Sequence, residues 1–136
     1  MPITDVETHK DLLRALDCAD KVVVVEYSAA WCGACSRVRP AIDQLSRDFA
    51  PVANFVSIDV GLLPEVAKER GVSNLPSFHI HLANRHVRTV VGADPSGLYD
   101  ALVDVLKEAH EAEEKATKGA GAVGEKVGGS LVASAV

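Results

Sequence analysis

Two cysteines separated by two residues, Cys32 and Cys35, are the side chains of this sequence with the clearest potential for chemistry. Two intervening residues place both sulfurs within one turn of a helix, close enough to form a reversible disulfide. At a helix N-terminus, free backbone N–H groups and the helix dipole stabilise a thiolate, which is the reactive form of cysteine. We therefore expect Cys32 to be the attacking sulfur and Cys35, one turn into the helix, to be the shielded resolving thiol.

The same cysteine spacing also supplies half of a zinc site, which is the main structural alternative. A structural zinc ion needs four ligands, and the sequence contains no second pair of cysteines at this spacing. His79 and His81 share one face of a predicted strand and are the candidates for the missing ligands, but we expect both imidazoles to reach solvent from that face. Cys18, on the first predicted helix, is typical of a small buried side chain.

An acidic residue, Glu26, interrupts the apolar run Val22–Tyr27. This run is typical of a strand that is covered on both faces. An ionised carboxylate there is costly unless it is paired, so we expect burial to raise the pKa of Glu26 toward neutrality. Such a group could accept the proton of Cys35 and return it. The alternative is a glutamate at the edge of the sheet that simply reaches water.

The elements that must position these groups alternate between strand and helix patterns. A helix begins after Thr8, and a second helix runs from the cysteine pair to about Phe49 with Pro40 inside it. The other predicted elements are strands at 21–27, 52–60, 78–82 and 87–91, a hairpin turn at Asn84-Arg85, a short helix at 64–70, and a last helix that begins at Asp94-Pro95. Strands alternating with helices, followed by a hairpin, predict a three-layer α/β domain.

From Met1 to about Ala109 these features together resemble the thioredoxin family. The residues that carry the resemblance are Trp31-Cys32-Gly33-x-Cys35, the acidic Glu26 six positions before Cys32, Pro40 in the long helix, Leu75-Pro76-Ser77, and Gly92 after the last strand. The resemblance implies a central mixed five-stranded sheet, ordered 1-3-2-4-5 and flanked by four helices. It also implies that Cys32 is the nucleophile, Cys35 the resolving thiol, Glu26 the buried proton carrier and Pro76 a cis proline.

The activity that the resemblance implies is general protein-disulfide reduction. The protein would bind no cofactor itself, and its electrons would come from NADPH through a separate thioredoxin-reductase-like protein or another dithiol donor. Its partners would be proteins that contain disulfides. Two other functions stay open: a disulfide donor or isomerase with the same fold, and a non-catalytic binding module whose cysteines regulate assembly.

Three positions depart from the family pattern: Ala34 stands in place of the usual proline, Glu26 in place of aspartate, and Ser28 where an aromatic residue is common. Unlike proline, Ala34 has a backbone N–H, which could reach the Cys32 thiolate at the start of the helix. A hydrogen bond to a charged group contributes about 1.5–3 kcal/mol. We therefore expect a redox potential a few tens of millivolts less reducing than with proline.

The residues expected around Cys32 are uncharged and mostly small or apolar, which predicts a docking surface for an extended, disulfide-containing segment of a substrate. We call this set the docking surface; its members are Trp31, Gly33, Ala34, Gly61, Leu62, Asn74, Leu75, Gly92 and Ala93.

The composition excludes several classes of protein. Fourteen Lys and Arg against nineteen Asp and Glu give a net charge of −5, which disfavours nucleic acid as a partner. The longest strongly apolar stretch, Val22–Val25, is far shorter than the roughly 20 residues of a membrane span. Residues 1–21 contain no uninterrupted apolar core, and three cysteines are too few for a secreted disulfide scaffold. We therefore expect a cytoplasmic protein without membrane contact.

The composition also changes near Glu114. From there the chain is rich in glycine and alanine and contains no aromatic residue. We expect residues 1–112 to form the folded domain and residues 113–136 to form a flexible tail.

Overall fold

The structure is a computed structural model that describes residues 3–17 and 20–123 of the 136-residue chain, with side chains described as far as residue 115. Its elements, in chain order, are β1 (Ile3–Asp5), α1 (His9–Leu16), β2 (Val22–Ser28), α2 (Gly33–Asp48), β3 (Ala53–Asp59), α3 (Pro64–Glu69), β4 (Ser77–Leu82), β5 (Arg85–Val91) and α4 (Pro95–Val123).

The five strands form one mixed sheet in the order β1-β3-β2-β4-β5. Strands β1 and β2 both run parallel to β3, whereas β4 runs antiparallel to both β2 and β5. The predicted fold class, with its strand order and four flanking helices, is confirmed. The residue pattern alone did not predict β1, because a three-residue strand with one buried side chain is too short to show alternation.

The central strand β2 is buried on both faces, which explains its continuous apolar sequence. Val22 and Val24 pack into the core between the sheet and helices α2 and α4. Val23, Val25 and Tyr27 point the other way, into the core beneath α1 and α3. Side chains alternate along a strand, so a strand covered by helices on both faces has no polar alternation. The result is the predicted three-layer arrangement.

The first and last helices begin where the sequence predicts, and each start is capped by a side chain. The backbone N–H of Asp11 donates to Thr8 Oγ1 at 3.0 Å, and that of Gly97 donates to Asp94 Oδ1 at 2.9 Å. The β4–β5 turn lies one residue earlier than predicted, at Ala83 and Asn84, which have φ angles of 52° and 62°. A two-residue hairpin turn of this kind needs positive φ at both positions, and asparagine tolerates that conformation better than most residues.

Helix α4 is longer than the sequence predicted. Its backbone stays helical to Val123, so the helix continues through residues 113–123 of the segment predicted to be a tail. The sequence Glu-Ala-Glu-Glu-Lys-Ala at 111–116 consists of strong helix formers, which explains the extension. Residues 124–136 lie outside the described part of the chain, and the domain boundary at 112 stays a prediction. None of the helices in the described residues is long and apolar enough to span a membrane.

Candidate active site

Cys32 and Cys35 lie where the central strand β2 leads into helix α2. Cys32 is the N-cap of α2, and Cys35 belongs to its first turn. The two residues form a disulfide, with their Cα atoms 5.3 Å apart. The backbone N–H of Cys35 donates to Cys32 Sγ at 3.2 Å. The cysteine pair is thus a disulfide at a helix N-terminus, with a backbone donor already directed at the first sulfur.

The two cysteines differ little in exposure in this oxidised form. Cys32 is 8% exposed and Cys35 is 5% exposed, whereas the preceding Trp31 is 74% exposed. Both cysteines pack with Ala29, and the partly buried Leu75 packs against this cluster. Exposure alone therefore does not separate the attacking sulfur from the resolving sulfur. What separates them is position, because only Cys32 stands at the helix cap.

Gly33 and Ala34 occupy the first two helical positions between the cysteines. The N–H that reaches Cys32 Sγ in the oxidised protein is that of Cys35, and no hydrogen bond joins Ala34 to this sulfur among the described residues. The side chain of an N-cap residue can accept from either the second or the third helical N–H. A role for the Ala34 N–H toward the thiolate therefore belongs to the reduced form and stays a prediction.

A loop from another part of the chain packs against the disulfide. The Leu75–Pro76 peptide bond is cis, as the resemblance implied. The carbonyl of Pro76 accepts a hydrogen bond of 2.8 Å from the N–H of Gly92. Gly92 has a φ of 100°, a conformation that L side chains rarely adopt. This contact links the end of β5 to the loop that carries Leu75, so Leu75, Pro76 and Gly92 lie in one region beside the cysteines.

Glu26 is buried in β2, with 1% of its surface exposed. The alternative of a glutamate that reaches water at the sheet edge is wrong. Its Oε1 accepts a hydrogen bond of 3.1 Å from Arg39 Nη1. Burial raises the pKa of Glu26, the positive charge of Arg39 lowers it, and the carboxylate of Asp43 raises it. Among the described residues no hydrogen bond joins Glu26 directly to Cys35, so its role as proton carrier stays a prediction.

Sequence reasoning missed Arg39. Cys35, Arg39 and Asp43 are spaced four residues apart, which places them on one face of α2. A cation on that helix face, next to the buried Val38 and Ile42, is the sequence signal that could have revealed a partner for Glu26.

The two strand histidines contradict the expectation that they reach solvent. His79 and His81 are 3% and 2% exposed, and burial lowers the pKa of each to about 4. The exposed His86 ring stacks on both, with ring centroids 4.2 Å from His79 and 5.2 Å from His81. The described residues contain no group of three or more histidines, cysteines or carboxylates that could hold a metal ion. Cys18 lies outside the described residues.

The predicted docking surface is accessible, because every member of the set is exposed or half-buried. Trp31 and Leu62 are its most prominent apolar side chains, with 74% and 75% of their surfaces exposed. Large exposed apolar side chains next to a reactive group favour contact with another protein.

Comparison with known proteins agrees with this geometry. The family model described as Thioredoxin matches residues 3–108. Thioredoxin-1 of Schizosaccharomyces pombe is 38% identical over 85 residues, which cover 62% of this chain and 82% of the relative. Thioredoxin-1 of Saccharomyces cerevisiae is 34% identical over 100 residues, which cover 74% of this chain and 95% of the relative.

A solved structure shows the same likeness. The oxidised form of mitochondrial thioredoxin 3 from Saccharomyces cerevisiae superimposes with a TM-score of 0.70 at 27% identity, covering 75% of this chain and 94% of the other. The family model extends over most of the chain, and the strand order and the Cys32–Cys35 disulfide are both present. This chain therefore belongs to the thioredoxin family and is a thiol-disulfide oxidoreductase.

Proposed function

We propose that the protein works in the reducing direction, as a general reductase of disulfides in other proteins. The observation that carries this proposal is the Cys32–Cys35 disulfide at the N-terminus of α2, with the buried carboxylate of Glu26 in the strand beneath that helix. The helix terminus favours the Cys32 thiolate. The buried carboxylate supplies a proton acceptor away from bulk water.

In the first step, the thiolate of reduced Cys32 attacks one sulfur of the substrate disulfide. A bond forms between Cys32 Sγ and that sulfur, the substrate S–S bond breaks, and the other substrate sulfur leaves as a thiolate that takes a proton from solvent. In the second step, Cys35 gives its proton to Glu26 and attacks Cys32 Sγ. The mixed disulfide breaks, the second substrate sulfur leaves as a thiolate that takes a proton from solvent, and Glu26 releases its proton to solvent. The substrate is then a dithiol, and two electrons have passed to it from the cysteine pair.

The docking surface would hold the substrate during these steps. An extended segment could lie over Trp31 and Leu62 and hydrogen-bond to the backbone near Leu75, which packs against the cysteine cluster. Main-chain recognition is independent of the substrate sequence, so it fits an enzyme of broad selectivity.

The resulting disulfide must be reduced before the next cycle. We propose that the electrons come from NADPH through a separate reductase of the thioredoxin-reductase type, or from another dithiol donor. Such a cycle needs a reducing compartment, and the cytoplasm fits the low cysteine content. Because one similar structure is that of a mitochondrial protein, fractionation of the natural host cell is the test of compartment.

Insulin reduction tests the proposed activity. With dithiothreitol as the electron source, we expect the wild-type protein to accelerate precipitation of the insulin B chain and Cys32→Ser to be inactive. A wild-type protein that does not exceed dithiothreitol alone contradicts general reductase activity. Oxidation of reduced substrates in place of insulin reduction identifies a disulfide donor, and inactivity in both assays favours a binding module.

Substrates can be identified by trapping. Cys35→Ser removes the resolving thiol, so the mixed disulfide on Cys32 should accumulate and can be analysed by mass spectrometry. Cys32→Ser is the matched control and should retain no partner. A Cys35→Ser variant that captures no more protein than this control argues against the reductase.

A further inference from the structure

The guanidinium group of Arg39 bridges two carboxylates of very different exposure. Its Nη1 lies 3.1 Å from Oε1 of the buried Glu26, and its Nε lies 3.5 Å from Oδ1 of Asp43, one helical turn further along α2. The side chain of Arg39 is 35% exposed, that of Asp43 38%, and that of Glu26 only 2%. Arg39 thus connects a carboxylate inside the protein to the surface.

The other groups that face Glu26 cannot take this role. Asp43 from α2 and Asp5 from β1 are acidic and repel a second negative charge. Strand β3 presents Ser57 and β4 presents Phe78, the two residues paired with Glu26 across the sheet. A hydrogen bond from the Ser57 hydroxyl also lowers the pKa of Glu26, but this group carries no charge. Among the described residues, Arg39 is therefore the one cation that acts on the Glu26 carboxylate.

Arg39 also lines an open surface cleft. The cleft has a volume of about 300 Å³, lies at the carboxyl ends of β1, β2 and β3, and is lined by Asp5, Ser28 and Ser57 as well. Arg39 therefore contacts both this cleft and the buried carboxylate.

We infer that Arg39 is a positioning residue, which holds the Glu26 carboxylate beneath the first turns of α2 as an anion and so sets how readily it takes a proton. The inference rests on the proposed function, in which that proton comes from Cys35. Arg39 itself touches neither substrate nor sulfur in this role. Asp43 opposes it twice, since its charge repels Glu26 and its carboxylate competes for the same guanidinium group.

The direct test is titration of Glu26 by ¹³C NMR of its side-chain carboxyl in the oxidised full-length protein, with the signal assigned by its loss in Glu26→Gln. Arg39→Met keeps the length of the side chain and removes the charge. It should raise the titration midpoint of Glu26 by about one to two pH units, the value of one charged hydrogen bond. Asp43→Asn should move the midpoint the other way, and Arg39→Lys should restore most of the wild-type value.

Arg47→Met is the matched control, because Arg47 is exposed on the same helix and forms no ion pair among the described residues. It should leave the Glu26 midpoint unchanged. A midpoint in Arg39→Met equal to that of the wild type overturns the inference. If Arg39→Met does not fold, Asp43→Asn provides the test. A Glu26 midpoint in Asp43→Asn that equals or exceeds that of the wild type overturns the inference.

Kinetic measurements distinguish a positioning role of Arg39 from a role that only stabilises the fold. In the insulin assay, the acid limb of the kcat profile should move to higher pH in Arg39→Met and to lower pH in Asp43→Asn, with KM unchanged. A uniform loss of activity at every pH means that Arg39 only stabilises the fold. The NMR midpoints do not depend on activity, so an inactive wild-type protein contradicts the proposed function and leaves the titration test intact.

Discussion

At the scale of single residues, the site contains two buried groups, Glu26 and Cys32, whose surroundings shift their proton affinities in opposite directions. Desolvation raises the pKa of Glu26, so its carboxylate takes up a proton more readily than an exposed one, whereas the helix terminus favours the charged form of Cys32. A base and a nucleophile with these tendencies suit a cycle in which one thiol must keep its proton until the mixed disulfide has formed.

Glu26→Gln tests the base directly. The amide keeps the shape of the side chain and cannot accept the Cys35 proton, so we predict a slower insulin reduction with the Cys32–Cys35 disulfide still formed. General-base assistance contributes about 10²–10⁴-fold when it is rate-limiting. The measurement is kcat from pH 6 to 9, and a wild-type rate over that whole range removes Glu26 from the mechanism.

The same substitution has a predictable effect on stability. A carboxyl whose folded pKa is raised binds more protons in the native state than in the unfolded state. Its contribution therefore favours folding at low pH and is lost as pH rises through the raised pKa. Denaturant titrations of Glu26→Gln at several pH values should show that this loss has disappeared, and an unchanged pH dependence contradicts the assignment of the buried charge.

The sequence predicted Glu26 and the cysteine pair because each breaks a local rule that can be seen within a few residues. A carboxylate in an apolar strand and a cysteine pair before a helix need no knowledge of the fold. Arg39 was missed because its partner lies thirteen positions away and on a different element. The burial of His79 and His81 was missed because only tertiary packing covers that face of β4.

At the scale of secondary-structure elements, the N-terminus of α2 supplies backbone N–H donors beside the cysteine pair. Its third helical N–H, that of Cys35, donates to Cys32 Sγ, and the second, that of Ala34, is free to join it at a thiolate. We predict that Ala34→Pro, which removes this second donor, lowers the reduction potential by about 30–60 mV. Equilibration of both proteins with glutathione measures the difference, and an equal or higher potential for the proline variant contradicts the role of Ala34.

Strand β4 carries two buried histidines, whose titration is separate from that of Glu26. His79 and His81 are buried and neutral, with pKa values of about 4, while their unfolded value is 6.5. Below pH 6.5 the unfolded chain takes up protons that the folded chain cannot, so stability is lost as pH falls from 6.5 toward 4. At pH 5 the loss is about 2 kcal/mol for each imidazole.

His81→Leu should therefore reduce the difference in the free energy of unfolding between pH 7.5 and pH 5 by about this amount. His110→Gln is the control for the loss of a histidine, because the His110 side chain is 69% exposed on α4 and lies outside the β4–β5 cluster. Equal acid sensitivity in His81→Leu and wild type contradicts the burial of a neutral imidazole at this position.

At the scale of the whole molecule, the three layers place the chemistry at one end of the sheet and the long helix α4 at its side. Among the side chains described as far as residue 115, the buried residues of α4 are Leu98, Leu102 and Val105. Residues 111–115 are exposed, so the predicted domain boundary at 112 falls after the last buried side chain among the described residues. The sequence analysis missed the helical extension because it judged the whole segment after residue 112 by its glycine and alanine content. The helix-forming residues at 111–116 come before the first of these glycines.

A fragment of residues 1–112 tests this view of the domain. We predict that it keeps insulin-reducing activity and a melting temperature within a few degrees of the full chain, because the deletion removes no described side chain from the core. Far-UV circular dichroism with temperature measures the transition. A fragment that is unfolded or inactive shows that residues 113–136 belong to the domain.

We propose that the start of α2 makes Cys32 a reactive thiolate while Cys35 keeps its proton. The most direct measurement is the rate at which each thiol of the reduced protein reacts with iodoacetamide at pH 7, followed by mass spectrometry of the two alkylated positions. We predict that Cys32 reacts much faster than free cysteine and that Cys35 reacts much more slowly than Cys32. Equal rates for the two thiols, or a Cys32 no faster than free cysteine, would contradict it.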